Sequence, residues 1–170
     1  TAQFINRLLA PFSARLVRTY ADQDKDWDGS FLEAVRRYEE TGKDPNEYLD
    51  EIWGRPEWEH YYVPLVKEGD VVAEIGPGLG RWTQPILDKV GKLYVIDYSR
   101  HVCNWWAKRN DPRVEVVHAE NCRMPQIPDA SVDLLMSWDV FVHISIEVMY
   151  GYMQELYRIL KPGGIGLIDH

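Results

Sequence analysis

The sequence predicts an α/β fold in which a mostly parallel, doubly wound sheet carries helices on both faces and follows a helical N-terminal segment. Two observations support this prediction. After Gly69, apolar runs of strand length alternate with helical segments, the order typical of a parallel sheet with crossover helices. Directly after the first of these runs, three glycines fall within residues 76–80, which indicates a tight turn at the end of a strand.

The chain divides near Gly69 into a helical segment, residues 1–68, and a sheet-forming part, residues 69–170. Two stretches of the first segment are typical of capped helix starts: Ser30 with Glu33, and Asp44-Pro45 with Glu47. The role of the segment stays open. It either folds over a ligand cleft or contacts a second copy of the chain, or its aromatic side chains simply pack against the sheet.

The stretch Glu74–Gly80 is the most informative part of the chain. A Cβ at any of its glycines would crowd a ligand or oppose the positive φ angles that such turns need. The helical pattern that follows predicts a helix whose first amides point outward, toward a bound nucleotide. A dinucleotide fingerprint would need a third glycine at position 81, which is Arg81. The turn therefore belongs to a different kind of nucleotide site.

The later elements follow in order along the chain. Residues 93–97 form a second strand that ends in Asp97, whose carboxylate can accept hydrogen bonds from both ribose hydroxyls. The third strand begins at Val114, the fourth covers residues 131–137 and the fifth covers residues 166–170. One helical stripe before the fifth strand is expected to pack in the core: Ile146, Met149, Tyr150, Met153, Leu156, Tyr157 and Leu160.

The motif E-x-G-x-G-x-G at residues 74–80 resembles the first motif of the class I S-adenosylmethionine-dependent methyltransferases, of the small-molecule type that includes ubiquinone, menaquinone and sugar O-methyltransferases. Its companions follow in order: the acid after the second strand, Ala119-Glu120 before Pro125, and Lys161-Pro162-Gly163-Gly164 after a helix. The resemblance implies a Rossmann-like sheet, S-adenosylmethionine as cofactor and S-adenosylhomocysteine as product. Family members normally continue beyond the fifth strand with a helix and two antiparallel strands, so we expect this chain to be a fragment.

The resemblance also implies which residues contact the cofactor. Glu120 is the candidate acceptor for the adenine amino group, and Asp97 is the candidate ligand of the ribose. The full implied set is Glu74, Gly76, Gly78, Gly80, Asp97, Tyr98, Glu120, Asn121 and Ser137.

Catalytic candidates lie beyond the carboxyl ends of the fourth and fifth strands, where open parallel sheets bind their ligands. His143 is the first candidate for a general base because imidazole titrates near neutral pH. Asp139 is expected to orient that histidine or bind substrate, and His170 is a further candidate. Packing of His143 against the next helix is the alternative. Asp139 and Asp169 alone are a poor metal signature, so no metal is predicted.

The composition of the chain excludes several classes of binding partner. The formal net charge of −8 argues against nucleic acid, since nucleic-acid proteins usually carry a basic face. No apolar run approaches the length of a membrane helix, and two cysteines give neither metal spacing nor a disulfide framework, so we expect a cytoplasmic protein. The expected acceptor is a small molecule or a saccharide, and a hydroxyl oxygen is the expected methylation site. A homo-oligomer through the N-terminal helices is compatible with the sequence.

Two other functions stay open. A domain that binds the cofactor in a regulatory or scaffolding role would show binding without turnover. An aminopropyl transferase would use the same fold with decarboxylated cofactor, but such enzymes usually carry paired acids after the fourth strand, where only Asp139 is obvious here.

Overall fold

The computed structural model describes residues 29–54 and 57–169. Three helices come first: α1 (29–41), α2 (Pro45–Trp53) and α3 (Glu59–Tyr62). The sheet-forming part then contains β1 (Val71–Ile75), β2 (Lys92–Asp97), α4 (Arg100–Lys108), β3 (Val114–His118), β4 (Val132–Ser137), α5 (Ile146–Ile159) and β5 (Leu160–Ile168). Short 3-10 turns occupy Val63–Leu65, Gln84–Ile86 and Phe141–His143.

The five strands of the described residues form one sheet in the order β3-β2-β1-β4-β5, and all neighbouring pairs are parallel. This confirms the predicted doubly wound α/β fold. Ile75 pairs in register with Ile96 on one side and Ser137 on the other, and Asp97 pairs with His118. The carboxyl ends of the four strands β1 to β4 therefore meet at one edge of the sheet, which is where the candidate site lies.

A hydrophobic core lies on each face of the sheet because successive strand residues point to opposite faces. Ala73 and Ile75 of β1 pack in the core beneath α5, together with Tyr152 and Leu156 of that helix. Val72 packs in the opposite core, which also holds the buried aromatic residues Tyr62, Trp82 and Trp106.

The two predicted helix starts in the N-terminal segment have different outcomes. Asp44 caps α2 as predicted: its Oδ1 accepts a hydrogen bond of 2.9 Å from the amide of Asn46, and Pro45 is the first helical residue. The predicted cap at Ser30 is wrong, because residue 29 is already helical and Ser30 lies inside α1. Residues 1–28 lie outside the described part of the chain.

The helix predicted after the glycine turn is not present. Residues 77–91 instead form successive turns and the short 3-10 helix Gln84–Ile86. Pro85 lacks an amide hydrogen and disfavours helical geometry at the residue before it, and Gly80 has a φ of 101°, which a right-handed helix excludes. Pro85 and Gly80 therefore explain why the helix that the apolar periodicity predicts does not form here.

Helix α5 faces the sheet with a different stripe from the one predicted. Its buried residues are Val148, Tyr152, Glu155, Leu156 and Ile159. Of the predicted stripe, Leu156 is buried, but four members are exposed, with Tyr157 at 89% and Ile146 at 73%; the other two are Tyr150 and Met153. Because α5 is apolar around most of its circumference, spacing could not decide which face meets the sheet.

A buried carboxylate fixes the loop between β3 and β4 onto α5. Glu155 is only 5% exposed, and it accepts hydrogen bonds from the Met124 amide (3.0 Å), from Arg158 (2.8 Å) and from Arg123 (3.1 Å). Burial by itself would raise the pKa of Glu155, but these three donors outweigh burial and lower it. The loop that follows Glu120 is thereby held against the body of the domain.

The fifth strand begins earlier than predicted, at Leu160 rather than residue 166. The Lys-Pro-Gly-Gly turn lies within an irregular first part of β5, where the pairing with β4 shifts register between Val132 and Leu134. Lys161 stabilises this irregular part through an ion pair of 2.6 Å with Asp133. Over residues 29–54 and 57–169, no helix has both the length and the apolar character needed to cross a membrane.

Candidate active site

A cavity of about 200 Å³ lies at the carboxyl edge of the sheet. Its wall combines the glycine turn, the segments that follow β2, β3 and β4, and parts of α1, α2 and α5. The residues that line it are Phe31, Trp53, Ile75, Gly76, Pro77, Gly78, Leu79, Arg81, Trp82, Ile96, Asp97, Tyr98, Ser99, Ala119, Glu120, Cys122, Trp138, Asp139, Val140, His143, Ile144, Val148 and Tyr152.

The glycine turn approaches its neighbours so closely that side chains would not fit. Gly76 has a φ of 67°, and a Cβ on it would lie 2.3 Å from Cγ2 of Val140. Gly78 has a φ of 53°, and a Cβ there would lie 3.1 Å from the Phe31 ring. The amide of Gly76 is itself bonded to the carbonyl of Ile96 at 2.8 Å. The backbone of this turn therefore forms part of the cavity floor.

The acid at the end of β2 is held by a local turn. Oδ1 of Asp97 accepts a hydrogen bond of 2.8 Å from the amide of Ser99, whose hydroxyl in turn caps α4 by accepting from Val102 and His101. Asp97 and Tyr98 both line the cavity. The sequence D-x-S before a helix thus fixes the predicted ribose carboxylate at the cavity wall.

The acid after β3 is held by two basic side chains. Oε1 of Glu120 accepts from Arg100 in a short contact and lies 3.3 Å from Nδ1 of His118. The other ring nitrogen of His118 lies 2.8 Å from the carbonyl oxygen of Tyr98. Glu120 lines the cavity but is otherwise exposed to solvent. His118 therefore links the segments that follow β2 and β3.

Four of the predicted cofactor contacts lie outside the cavity wall: Glu74, Gly80, Asn121 and Ser137. Ser137 is buried and donates to the carbonyl of Ile75 at 3.0 Å, and the side chain of Asn121 accepts from the Arg123 amide at 3.2 Å. A Cβ on Gly80 would lie 3.0 Å from the Trp106 ring, so this glycine allows α4 to pack against the turn.

Glu74 lies in the interior behind the glycine turn, with 1% of its surface exposed. Its Oε2 accepts a hydrogen bond of 2.5 Å from the Thr83 hydroxyl. Burial raises the pKa of Glu74 to about 8, against the lowering effect of that hydrogen bond, and the nearby Asp97 charge raises it further. Glu74 therefore joins β1 to the segment that follows the turn.

Asp139 and His143 lie together on the opposite wall of the cavity. Oδ1 of Asp139 is 3.7 Å from Nε2 of His143, and their side chains are 48% and 45% exposed. Asp139 has a φ of 59°, and its amide donates to Oδ1 of Asp169 at 2.7 Å. Burial raises the pKa of Asp169, and the nearby Asp139 carboxylate raises it further, although the hydrogen bond from the Asp139 amide lowers it. His170, the third catalytic candidate, lies outside the described residues.

No group of three or more metal-binding side chains occurs within the parts of the chain that the structure describes.

Sequence reasoning missed much of the cavity wall. Trp138 and Val140 flank Asp139, so their position directly after β4 was a usable signal. Arg81, next to the last glycine of the turn, also lines the cavity, although its sequence position shows only that a dinucleotide fingerprint is excluded. Phe31 and Trp53 come from distant helices and Tyr152 from the middle of α5, and no local pattern could have assigned these three to the site.

The chain resembles known proteins over the same region. The family model described as methyltransferase domain matches residues 72–164. A Mycolicibacterium smegmatis protein named as a probable S-adenosylmethionine-dependent methyltransferase is 31% identical over 101 residues, which cover 59% of this chain and 38% of that protein. Phosphoethanolamine N-methyltransferase of Plasmodium falciparum is 30% identical over 105 residues, covering 61% of this chain and 40% of the relative. The chain thus spans about two fifths of the length of these two curated relatives.

A solved structure shows the same fold. Haemonchus contortus phosphoethanolamine N-methyltransferase 1, in complex with phosphoethanolamine and S-adenosylhomocysteine, superimposes with a TM-score of 0.52 at 20% identity. The match covers 59% of this chain and 22% of that one.

Proposed function

This chain belongs to the class I methyltransferase-domain family, whose cofactor is S-adenosylmethionine, and we propose that it transfers a methyl group from that cofactor to a small-molecule or saccharide acceptor. The single observation that carries the proposal is the cavity. One wall contains Asp97 and Glu120, and another contains Asp139 and His143. The candidate cofactor ligands and the candidate proton acceptor therefore line the same cavity.

The residues present fit the cofactor chemically. Asp97 and Glu120 are carboxylates, which accept hydrogen bonds from ribose hydroxyls and from an adenine amino group. The turn at Gly76 and Gly78 has no room for a Cβ, as expected for a backbone that forms the floor of a ligand site. We therefore assign the ribose to Asp97, the adenine amino group to Glu120 and the remaining wall contacts to Tyr98 and the two glycines.

We assign a structural role to the four predicted cofactor residues that lie outside the cavity wall. Glu74 and Ser137 join β1 to its neighbours directly behind the turn, and Gly80 allows α4 to pack against the turn. Asn121 orders the loop after Glu120 through its bond to the Arg123 amide. Each would affect cofactor binding through the shape of the wall rather than through a contact.

When bound, S-adenosylmethionine supplies a methyl carbon that its sulfonium makes reactive. The chain must then hold the acceptor in line and remove its proton. We assign proton removal to the imidazole of His143. We assign the Asp139 carboxylate, 3.7 Å away, to the orientation of this imidazole, and the bond from the Asp139 amide to Asp169 fixes the backbone that carries this carboxylate.

A hydroxyl oxygen is the proposed acceptor atom. A hydroxyl must lose its proton as the methyl group arrives, and a histidine beside a carboxylate supplies that function. An amine nitrogen is the second candidate. It is favoured by the 30% identity to a relative that is named for N-methylation of phosphoethanolamine.

The test is turnover of the full chain with S-adenosylmethionine and a panel of hydroxyl and amine acceptors, read as S-adenosylhomocysteine formed and as acceptor mass. Methylated product with a hydroxyl acceptor supports the proposal, and product with amines alone transfers it to nitrogen. Cofactor binding without turnover across the panel would favour a regulatory or scaffolding domain. Turnover with decarboxylated cofactor and a polyamine would instead indicate an aminopropyl transferase.

A further inference from the structure

Side chains hold the backbone carbonyls of the segment that follows the glycine turn. Since residues 77–91 do not form an α-helix, a regular ladder of backbone hydrogen bonds is lacking there. Trp106 of α4 donates to the carbonyl of Gly78 at 2.9 Å, and Asn46 of α2 donates to that of Leu79 at 3.4 Å. The hydroxyl of Tyr62 in α3 donates to the carbonyl of Trp82 at 2.7 Å. Two of these three donors come from the N-terminal segment.

Arg81 fastens the same segment to the end of α2. Its guanidinium is almost fully buried, its Nε donates to Oδ1 of Asp50 at 2.7 Å, and its Nη2 makes a short bond to the carbonyl of Gly54. The guanidinium also lies over the Trp53 ring (5.9 Å to the centroid) and the Trp82 ring (5.1 Å). A buried, charge-assisted contact of this kind fixes the distance between two elements closely.

The N-terminal helices also contribute directly to the cavity. Phe31 of α1 lies so close to Gly78 that a Cβ on this glycine would be 3.1 Å from its ring. Phe31 and Trp53 make an edge-to-face contact at 5.8 Å, and both line the cavity. Helix α2, which holds the segment after the turn, therefore also forms part of the cavity wall, together with α1.

We propose that helices α1 to α3 are an integral part of the cofactor site, in which Arg81, Asn46 and Tyr62 are positioning residues that hold the backbone from Gly78 to Trp82 in its ligand-binding conformation. The inference rests on the proposed function, because it takes the ligand to be the methyltransferase cofactor. These helices are then expected to raise the affinity of the site for the cofactor. None of the three positioning residues takes part in proton removal by His143.

The experiment measures the dissociation constant of S-adenosylhomocysteine by calorimetry for Arg81→Lys, Asp50→Asn and Tyr62→Phe in the full chain. We expect the first two to weaken binding about tenfold and the loss of the Tyr62 hydroxyl to weaken it about fivefold. The matched control is Glu33→Gln, which breaks exposed ion pairs with Arg36 and Arg37 on α1 and should leave affinity unchanged.

Steady-state kinetics separate a positioning role from a purely structural one. The three variants should show a raised KM for S-adenosylmethionine with kcat retained at saturation, whereas general loss of folded protein would lower kcat at unchanged KM. The double variant Arg81→Lys/Asp50→Asn should bind no more weakly than the worse single variant, because both changes break one contact.

Binding of S-adenosylhomocysteine by the unmodified chain separates failure of the proposed function from failure of this inference. If the unmodified chain does not bind S-adenosylhomocysteine, the proposed function fails. If it binds, and the folded variants bind equally well, only this inference is overturned. Should Arg81→Lys and Asp50→Asn not fold, Tyr62→Phe decides, since it removes one hydroxyl and unchanged affinity there overturns the inference.

Discussion

Asp139 Oδ1 lies 3.7 Å from Nε2 of His143, four residues further along the chain, and both side chains line the cavity. In the proposed function, this carboxylate orients the imidazole that removes the proton of the acceptor. The backbone that carries Asp139 is fixed, because the Asp139 amide donates a hydrogen bond to the side chain of Asp169.

His143→Ala should lower kcat by about a hundredfold or more, because general base catalysis of this kind contributes 10²–10⁴-fold. Affinity for S-adenosylhomocysteine should stay unchanged. Turnover of the purified variant with the best acceptor measures kcat, and calorimetry measures the affinity for S-adenosylhomocysteine. Retained turnover would mean that the base lies elsewhere in the protein.

Asp97→Ala should weaken cofactor binding by about 1.5 to 3 kcal/mol, roughly ten- to a hundredfold, because charge-assisted hydrogen bonds to the ribose are lost. Calorimetry with S-adenosylmethionine measures the change. Asp88→Ala, an exposed carboxylate outside the cavity wall, is the control and should bind as the unmodified chain does. Equal affinity of both variants would remove the ribose assignment.

Gly76→Ala should lower the free energy of unfolding by about 2 kcal/mol or more, since the added Cβ overlaps Val140 and the φ of 67° opposes a side chain. Gly42→Ala separates the two causes. Gly42 has a φ of 71° with nothing within 4 Å of the added Cβ, so only the conformational cost of about 1 kcal/mol applies. Urea unfolding measures both variants, and equal losses would contradict the close approach of Val140.

Glu74 should make stability depend on pH. Its pKa is about 8 in the folded chain against an ordinary value of 4.5, so between these pH values the folded state holds a proton that the unfolded chain has released. The free energy of unfolding should therefore fall as pH rises through this window, by up to about 1.4 kcal/mol per pH unit. Glu74→Gln should remove this slope in urea unfolding from pH 5 to pH 8. The exposed Glu68→Gln should retain it, and an unchanged slope in Glu74→Gln would contradict the burial effect.

Glu155→Ala should destabilise the chain by about 2 kcal/mol, because it leaves the buried Met124 amide without its acceptor and removes one of the acceptors of Arg158. Glu147→Ala, an exposed glutamate in the first turn of the same helix, should change stability by about 0.5 kcal/mol or less. Chemical unfolding of the two variants under one set of conditions gives the comparison. Similar losses would show that the Glu155 network contributes little.

The sequence was most informative where the local pattern has one physical solution. Buried runs such as residues 93–97, each followed by a helical segment, admit little besides parallel strands. Asp97 was placed at the carboxyl edge because it ends such a strand, and Glu120 followed from the family resemblance. Asp44-Pro45 likewise predicted the start of α2 correctly, because a capping carboxylate and a proline at the first helical position act locally.

Features that depend on packing between distant parts of the chain could not be predicted from the sequence. Helix α5 is apolar on several faces, so its spacing could not show that Tyr157 points to solvent and Tyr152 to the core. Glu74 belongs to the predicted motif but lies buried against Thr83, a contact that depends on how the segment after the turn folds. Phe31 and Trp53 reach the cavity from elements far away in sequence, and nothing local marks them.

The most direct test of the central claim is calorimetric titration of the unmodified chain with S-adenosylmethionine and, separately, with a nicotinamide dinucleotide. The account predicts micromolar binding of S-adenosylmethionine, weakened by Asp97→Ala, and no binding of the dinucleotide. Binding of the dinucleotide alone, or of neither ligand, would contradict it.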